Sequence, residues 1–294
     1  MFAFIPITII AAGFQVARNA LQRSLLGGAG PWGATLVRFL FGLPFSLIFV
    51  AIAWAIWPEA RAHFSGRFWL WAIVGSITQI GATAALLSSM GRSGFALGAA
   101  FQQSSLPFAA AFSLFVLHEG ETGLGWAGIA LATASLLALS WPRRVDGIGD
   151  MGGALYGLAS GAFYGVALNA YREANLAIDP HHAVFAAVVT TSTTQAMQAA
   201  AMTAYLGLRD RTALKAVLGA WRQSLGAGFF GAAASALWLT ALAMSPAGPV
   251  RAVGVIEMPL SALVGRRLFA ERLSWKQLAL GGATAVGVVL AAFG

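Results

Sequence analysis

The sequence contains no cysteine. Disulfides, thiolate metal sites and cysteine nucleophiles are therefore excluded, and thiols give no reading of the redox compartment. Charge is also scarce. Asp, Glu, Lys and Arg make up 10% of the 294 residues, against roughly a quarter in an ordinary soluble domain. A Gly-x4-Gly-Lys-Ser/Thr loop is absent, so ATP hydrolysis by this chain is not expected. Hydrophobic residues instead reach 59%. That is too much for a soluble globular chain of this length to bury, and far too much for a disordered one.

The net charge of +8 comes from 18 Lys and Arg against 10 Asp and Glu. A nucleic-acid binder gathers its basic residues on one face or arm. Here they fall in short gaps between apolar runs, where they anchor and orient membrane helices. Almost all are arginine, with Lys215 and Lys276 the two lysines.

A bilayer core needs roughly 20 apolar residues in a helix. Ten such runs are read: 2–22, 31–57, 68–90, 94–117, 123–141, 152–173, 182–206, 223–244, 248–268 and 274–293. Breaker residues fill the gaps, among them Gly27 to Pro31, Trp57-Pro58-Glu59, Trp141 to Arg144, Asp179-Pro180 and Ser245 to Pro249. The loop Gly207 to Arg222 is expected to hold a short interfacial helix with Arg209, Arg211, Lys215 and Arg222 among headgroups. The N-terminus, apolar from Phe2 and without a basic stretch, is read as the first span rather than a cleaved signal.

The chain also matches itself weakly at an offset of about 150 residues. Val16 to Ala20 lies on Val166 to Ala170, placing Asn19 on Asn169; Pro31 falls on Pro180, and Pro107 on Pro259. Leu114 to Glu119 lies near Val264 to Glu271, with Glu119 on Glu271. The stretch Pro142 to Asp150 sits at the midpoint. The reading is an all-α integral membrane protein of ten transmembrane helices, built as two five-helix repeats over 1–147 and 148–294. Five is odd, so the second repeat is inverted relative to the first. Inverted repeats are characteristic of secondary transporters, with the substrate site near the midplane.

This pattern resembles the drug/metabolite transporter superfamily, specifically its EamA-type ten-span members. The resemblance is carried by the duplicated halves, by Leu114 to Glu119 and Leu268 to Ser274 at span ends, and by Leu36-Val37-Arg38-Phe39. Gly120-Glu121 departs from it, standing where the first half would normally read Arg-Leu. The resemblance implies metabolite export across the bacterial inner (plasma) membrane by a multi-pass protein. It also implies both termini in the cytoplasm. The charge count points the other way: four Lys and Arg fall on the side of the termini and 13 on the opposite side, which puts the termini outside. The charge count is preferred.

Polar groups inside a bilayer need a partner, a wet cavity or a route to the interface. Gln15, Asn19 and Gln22 share one face of the first span, and Asn169 with Tyr164 and Tyr171 occupies span six. They either line a cavity or bond neighbouring helices. Arg38 lies ~10 Å along its helix from Pro31, too deep for easy snorkelling. Arg18, nearer a span end, is expected to snorkel. Glu257 is the acidic residue well inside a span, where a role with substrate or proton is weighed against a structural pair. Arg251, six residues earlier, is expected on a different face, so Arg38 is the freer partner. Gln102, Gln103, Ser104 and Ser105 precede Pro107, and Ser105 matches Glu257 in the repeat. Gln79 and Trp238 lie in the matching middle spans three and eight.

Thr190 to Gln195, with Gln198, is the most polar stretch of any span and has a strong structural reading. Gly152, Gly153, Gly157, Gly161 and Gly165, and the stretch Gly281-Gly282 to Gly287, are read as close-packing surfaces. Spans five and ten are expected to stabilise the bundle. His181-His182 is expected to cap span seven. The substrate-binding set is thus Gln15, Asn19, Arg38, Gln79, Gln102, Gln103, Tyr164, Asn169, Trp238 and Glu257. The expected function is a secondary transporter, in direction an exporter, of a small polar or amphipathic metabolite such as an amino acid. It would work in the lipid bilayer by alternating access, with proton coupling through Glu257, and needs no cofactor, metal or nucleic acid. The alternatives are a channel or lipid flippase on the same scaffold, and an intramembrane enzyme.

Overall fold

A computed structural model describes residues 3–117, 122–140, 151–245 and 247–293. The described residues are overwhelmingly helical, with no strand among them. In chain order the helices are α1 (Phe4–Ser24), α2 (Leu26–Leu40), α3 (Leu43–Ile56), α4 (Gly66–Ser93), α5 (Phe95–Phe101), α6 (Ser105–Phe112) and α7 (Gly123–Ser140). They continue with α8 (Met151–Ile178), α9 (Ala183–Arg209), α10 (Arg211–Gly219), α11 (Trp221–Met244), α12 (Ala247–Gly254), α13 (Glu257–Leu268) and α14 (Trp275–Phe293). A tight turn at Gln102–Ser104 separates α5 from α6, and a widened one at Ser113–Leu117 follows α6. The expectations placed on His118, Glu119, Gly120-Glu121, Trp141, Arg143, Arg144, the linker Pro142 to Asp150 and Pro246 lie outside the described residues.

Among the described residues five stretches are long and apolar enough to cross a membrane: α1, the α2–α3 pair over Leu26–Ile56, α4, α8 and α11. Helix α9 has the length, but its run from Thr190 to Gln195 is polar. The surface agrees with a lipid setting. Leu47, Ile48, Ile52 and Ile56 on α3, and Leu70, Ile73 and Ile77 on α4, are exposed, while Arg18, Arg38, Arg251, Gln102, Gln103, Asn19 and Asn169 are buried. A soluble fold has the reverse arrangement.

The chain divides into two compact units, Met1–Ile80 with Ala170–Pro246, and Gly81–Asn169 with Ala247–Gly294. Each takes residues from both halves of the sequence, and the division falls inside α4 and α8. In the first unit α1 packs on α11, α3 on α9, and α10 on α2. The loop after Gly207 contains the expected helix, α10. The Asp210 carboxylate caps it by accepting from Ala213 N at 2.9 Å, and Ala213 and Val217 are buried against Gly33 of α2. Pro31 follows a kink at Gly30 (φ 63°) and restarts the helix, where its missing N–H costs nothing. Helix α8 runs to Ile178, five residues past the expected end of span six. Glu173 therefore lies within it, buried and paired with Arg67.

In the second unit α14 packs on α7 through reciprocal small residues: a Cβ at Gly128 would overlap Ala291, and one at Gly287 would overlap Ala132. The bundle-packing expectation for these two spans is met at Gly287. It fails at Gly282, whereas a Cβ at Gly281 would touch Met258 Cε at 3.4 Å. A Cβ at Gly282 would meet nothing within 4 Å; these two glycines border a crevice. The α8 glycines do serve close approach. A Cβ at Gly157 would overlap Phe101, and one at Gly161 would overlap Ser104. The missing side chains let α8 lie against the interrupted α5–α6 segment.

Gly161→Val is expected to cost about 1–3 kcal/mol by overpacking, lowering the melting temperature in detergent. Gly282→Ala is expected to leave it unchanged or raise it slightly. Thermal unfolding of the two purified variants checks both.

Candidate functional site

The ten residues singled out in the sequence fall into both units. Gln15, Asn19, Arg38, Gln79 and Trp238 belong to the first; Gln102, Gln103, Tyr164, Asn169 and Glu257 belong to the second. All are buried except Gln79, which is half-buried.

In the first unit the polar face of α1 is buried as expected. Gln22 donates to Ala34 O at 2.7 Å, joining α1 to α2. Arg18 does not snorkel: it is 1% exposed, and its guanidinium donates to Asn19 Oδ1 at 3.1 and 2.6 Å. Arg38 is equally deep at 2% exposure and donates to Ser235 Oγ of α11 at 3.1 Å. Both arginines flank Gly231, where a Cβ would lie 3.0 Å from Arg38 Cγ and 3.4 Å from Arg18 Cδ. That glycine makes room for two cationic side chains at one place.

A second polar group lies in the same unit. Gln79 Oε1 accepts from Tyr171 Oη at 2.9 Å and from Gln198 Nε2 at 2.8 Å. Gln198 Nε2 also approaches Tyr171 Oη at 3.1 Å and Ser76 O at 3.2 Å. Thr194 follows the expected structural reading, donating to Thr190 O at 2.7 Å. Thr190, Thr191 and Gln195 do not. Their side-chain polar atoms are buried with no hydrogen-bond partner among the described residues.

The second unit holds the arrangement that the sequence reading missed. Two segments expected as continuous spans are interrupted. One breaks at Gln102–Ser104 between α5 and α6. The other breaks at Val255-Ile256 between α12 and α13. The second break corrects the placement of Arg251. On an unbroken helix, residues six apart face different directions. Here Arg251 Nη1 lies 3.8 Å from Glu257 Oε1, because the chain turns between them. Both are deeply buried: Arg251 is 4% exposed and Glu257 2%. Arg251 Nη2 also donates to Gln103 Oε1 at 2.8 Å, so one guanidinium joins the two breaks. Around it Gln102 Oε1, Gln103 Nε2, Ser105 Oγ and Ser261 Oγ are buried without a hydrogen-bond partner among the described residues. Native proteins leave few such atoms, so this cluster has unused donors and acceptors concentrated at one place. The signals that could have found it are Gly254 and Pro259 either side of Glu257, which weaken the helix there.

Asn169 bonds a neighbouring helix, donating to Ala109 O at 3.1 Å and to Gly165 O at 3.2 Å. Tyr164 Oη lies 3.3 Å from Thr83 Oγ1. The Glu271 carboxylate accepts from Phe95 N at 2.7 Å and Ala96 N at 3.1 Å, capping α5 after Gly94 (φ 94°). Ahead of α9, the cap forms from Asp179 and not from the histidine side chains. His182 holds the N-cap position without a side-chain capping bond. Asp179 Oδ1 accepts from His181 N and His182 N at 2.8 and 3.1 Å, and Asp179 Oδ2 lies 2.8 Å from His182 Nδ1. Among the described residues no three His, Cys, Asp or Glu side chains converge as a metal site would need.

No family model matches the chain, and no curated protein matches it. Among solved structures it is similar to a chain described only as "Crystal structure of protein". The two share 18% identity with a TM-score of 0.57, over 98% of this chain and 96% of that one. At that identity the likeness speaks for the fold along the whole chain.

Burial works to raise the Asp179 carboxyl, but the His181 and His182 N–H groups and the His182 ring outweigh it and hold the group below the usual carboxylate range. A carboxyl depressed in the folded state contributes stability above its unfolded pKa of about 3.9 and loses it as pH falls through the folded value. Asp179→Asn is therefore expected to melt lower than the parent protein at pH 7. The difference should shrink as pH is lowered below about 4, which melting curves across pH will read.

Proposed function

We propose that this chain is a secondary transporter exporting a small polar or amphipathic metabolite such as an amino acid. In this reading it is an EamA-type member of the drug/metabolite transporter superfamily, with ten spans in two inverted five-helix repeats, embedded in the bacterial inner membrane. It works by alternating access and couples transport to protons through Glu257.

The observation that carries the reading is the pair of interrupted helices. Short or broken hydrophobic segments at corresponding positions of two sequence halves are a pointer to a transporter's binding site. The breaks at Gln102–Ser104 and Val255-Ile256 occupy matching positions, since Ser105 aligns with Glu257 and Pro107 with Pro259. Irregular backbone is tolerated at membrane depth only where protein buries it or a wet cavity meets it. The breaks concentrate a carboxylate, a guanidinium, two amides and hydroxyls in one buried cluster. A zwitterionic metabolite offers the complementary charges. Glu257 is suited to proton exchange because its paired cation, Arg251, can be displaced by a substrate cation or by a proton.

Glu257→Gln and Arg251→Ala are each expected to lower substrate flux in proteoliposomes by at least tenfold, while Arg209→Gln, at an exposed helix end, retains it. Amino acids are the first substrates to test. Counterflow that saturates supports a carrier; non-saturating flux points to a channel, and activity only on lipid-linked substrates points to a flippase. Glu257→Gln should also abolish the dependence of flux on an imposed pH gradient in any exchange that survives.

Orientation has its own check. The charge distribution predicts an external C-terminus. An alkaline phosphatase fusion there should be active, and fluorescence from a cytoplasm-only reporter would reverse the assignment.

A further inference from the structure

Apart from the polar cluster, the second unit has a feature at the α13–α14 turn. Arg266, Arg267, Arg272 and Lys276 are all exposed there. The acidic residue among them, Glu271, is occupied: its carboxylate accepts the Phe95 and Ala96 N–H groups at the start of α5. Trp275, in the same turn, is 85% exposed. Exposed tryptophan beside arginine and lysine is the composition of the zone where headgroups meet acyl chains.

Below this turn is a crevice of about 240 Å³ between α5, α7, α13 and α14. Its walls include Leu97, Met258, Pro259, Gly281 and Gly282, and Gln277 is its main polar element. Gln277 is itself occupied, accepting from Ser274 N at 2.8 Å. The crevice exists because Gly281 and Gly282 put no side chain into it. It adjoins a larger hollow of about 710 Å³ bordered by Arg266, Glu271 and Arg272, and Ala262, Leu273 and Leu278 line both. An apolar slot thus leads directly to a basic rim.

We propose that this slot and rim bind one anionic phospholipid, with its phosphate on Arg266 and Arg272 and part of an acyl chain in the crevice. Guanidinium groups match phosphate oxygens in paired hydrogen bonds. Basic pockets between membrane helices are suited to anionic headgroups. A free phosphate would use the rim alone. The apolar slot continuous with it, and Trp275 beside it, favour a lipid. The inference needs the chain to lie in a bilayer but does not need it to transport anything.

The test uses the full chain purified in detergent, with lipid binding read by native mass spectrometry and thermal stability. Phosphatidylglycerol is compared with phosphatidylcholine of identical acyl chains, and with inorganic phosphate. The parent protein is expected to bind phosphatidylglycerol about tenfold more tightly than phosphatidylcholine, with inorganic phosphate unable to displace it. R266Q/R272Q is expected to erase that preference, and Gly282→Leu, which fills the crevice, to weaken both lipids. Equal binding of the two lipids by the parent protein would overturn the proposal. So would a preference that survives R266Q/R272Q, unchanged binding by Gly282→Leu, or full displacement by inorganic phosphate. The two arginines are exposed, so their variant carries the test even where the crevice-filling variant does not fold. Loss of lipid preference with no change in proteoliposome flux would support this site and leave the transport reading untouched.

Discussion

Arg251 and Glu257 meet because the helix between them is interrupted. Six residues along an unbroken helix would point the two side chains in different directions, and each would need another partner. The turn at Val255-Ile256 instead brings the carboxylate to 3.8 Å from the guanidinium. The interruption is not free. It leaves backbone groups outside a continuous ladder, and a bilayer offers them no water. Part of the compensation is visible in the chain itself: Val255 N bonds back to Arg251 O at 3.1 Å, and Met258 N to Val255 O at 2.9 Å. Local turns thus satisfy much of the backbone that the break exposes.

The neighbouring interruption is supported from outside. Gly157, Gly161 and Gly165 bring α8 against the α5–α6 segment, and Asn169 donates to Ala109 O just beyond it. At the other end the Glu271 carboxylate holds the first N–H groups of α5. A short segment that could not persist alone is therefore fixed at its start, along its side and beyond its break. The residues that present polar groups there are themselves held by packing and by surrounding hydrogen bonds.

Much of this was legible in sequence because lipid makes polarity expensive. Arg38, Glu257, Gln102 and Gln103 stand out against long apolar runs, and all four are buried. Helical segments follow the ten apolar runs wherever the chain is described, and α10 emerged from the polar gap where a short helix was expected. The misreadings have a common origin. Arg251 was assigned to a different face from Glu257, Arg18 to the interface, and Gly282 to helix packing because each was judged on an idealised, continuous helix. Sequence periodicity reports which residues share a face of a regular helix; it does not report where the helix stops being regular. Gly254 and Pro259 mark the break only weakly, since glycine and proline also occur in membrane helices that continue through them.

The same reasoning separates the two kinds of polar residue. Asn169 and Gln22 each donate to a main-chain carbonyl of a neighbouring helix, and Thr194 donates to one in its own helix, so these donors are taken up by the structure. Gln102, Gln103, Ser105 and Ser261 retain buried polar atoms that nothing among the described residues engages. In a folded protein such atoms carry a penalty of about 1–3 kcal/mol each. A chain with only 10% charged residues has little reason to keep several of them at one point for stability. Their concentration beside Arg251 and Glu257 is economical only if something polar meets them there.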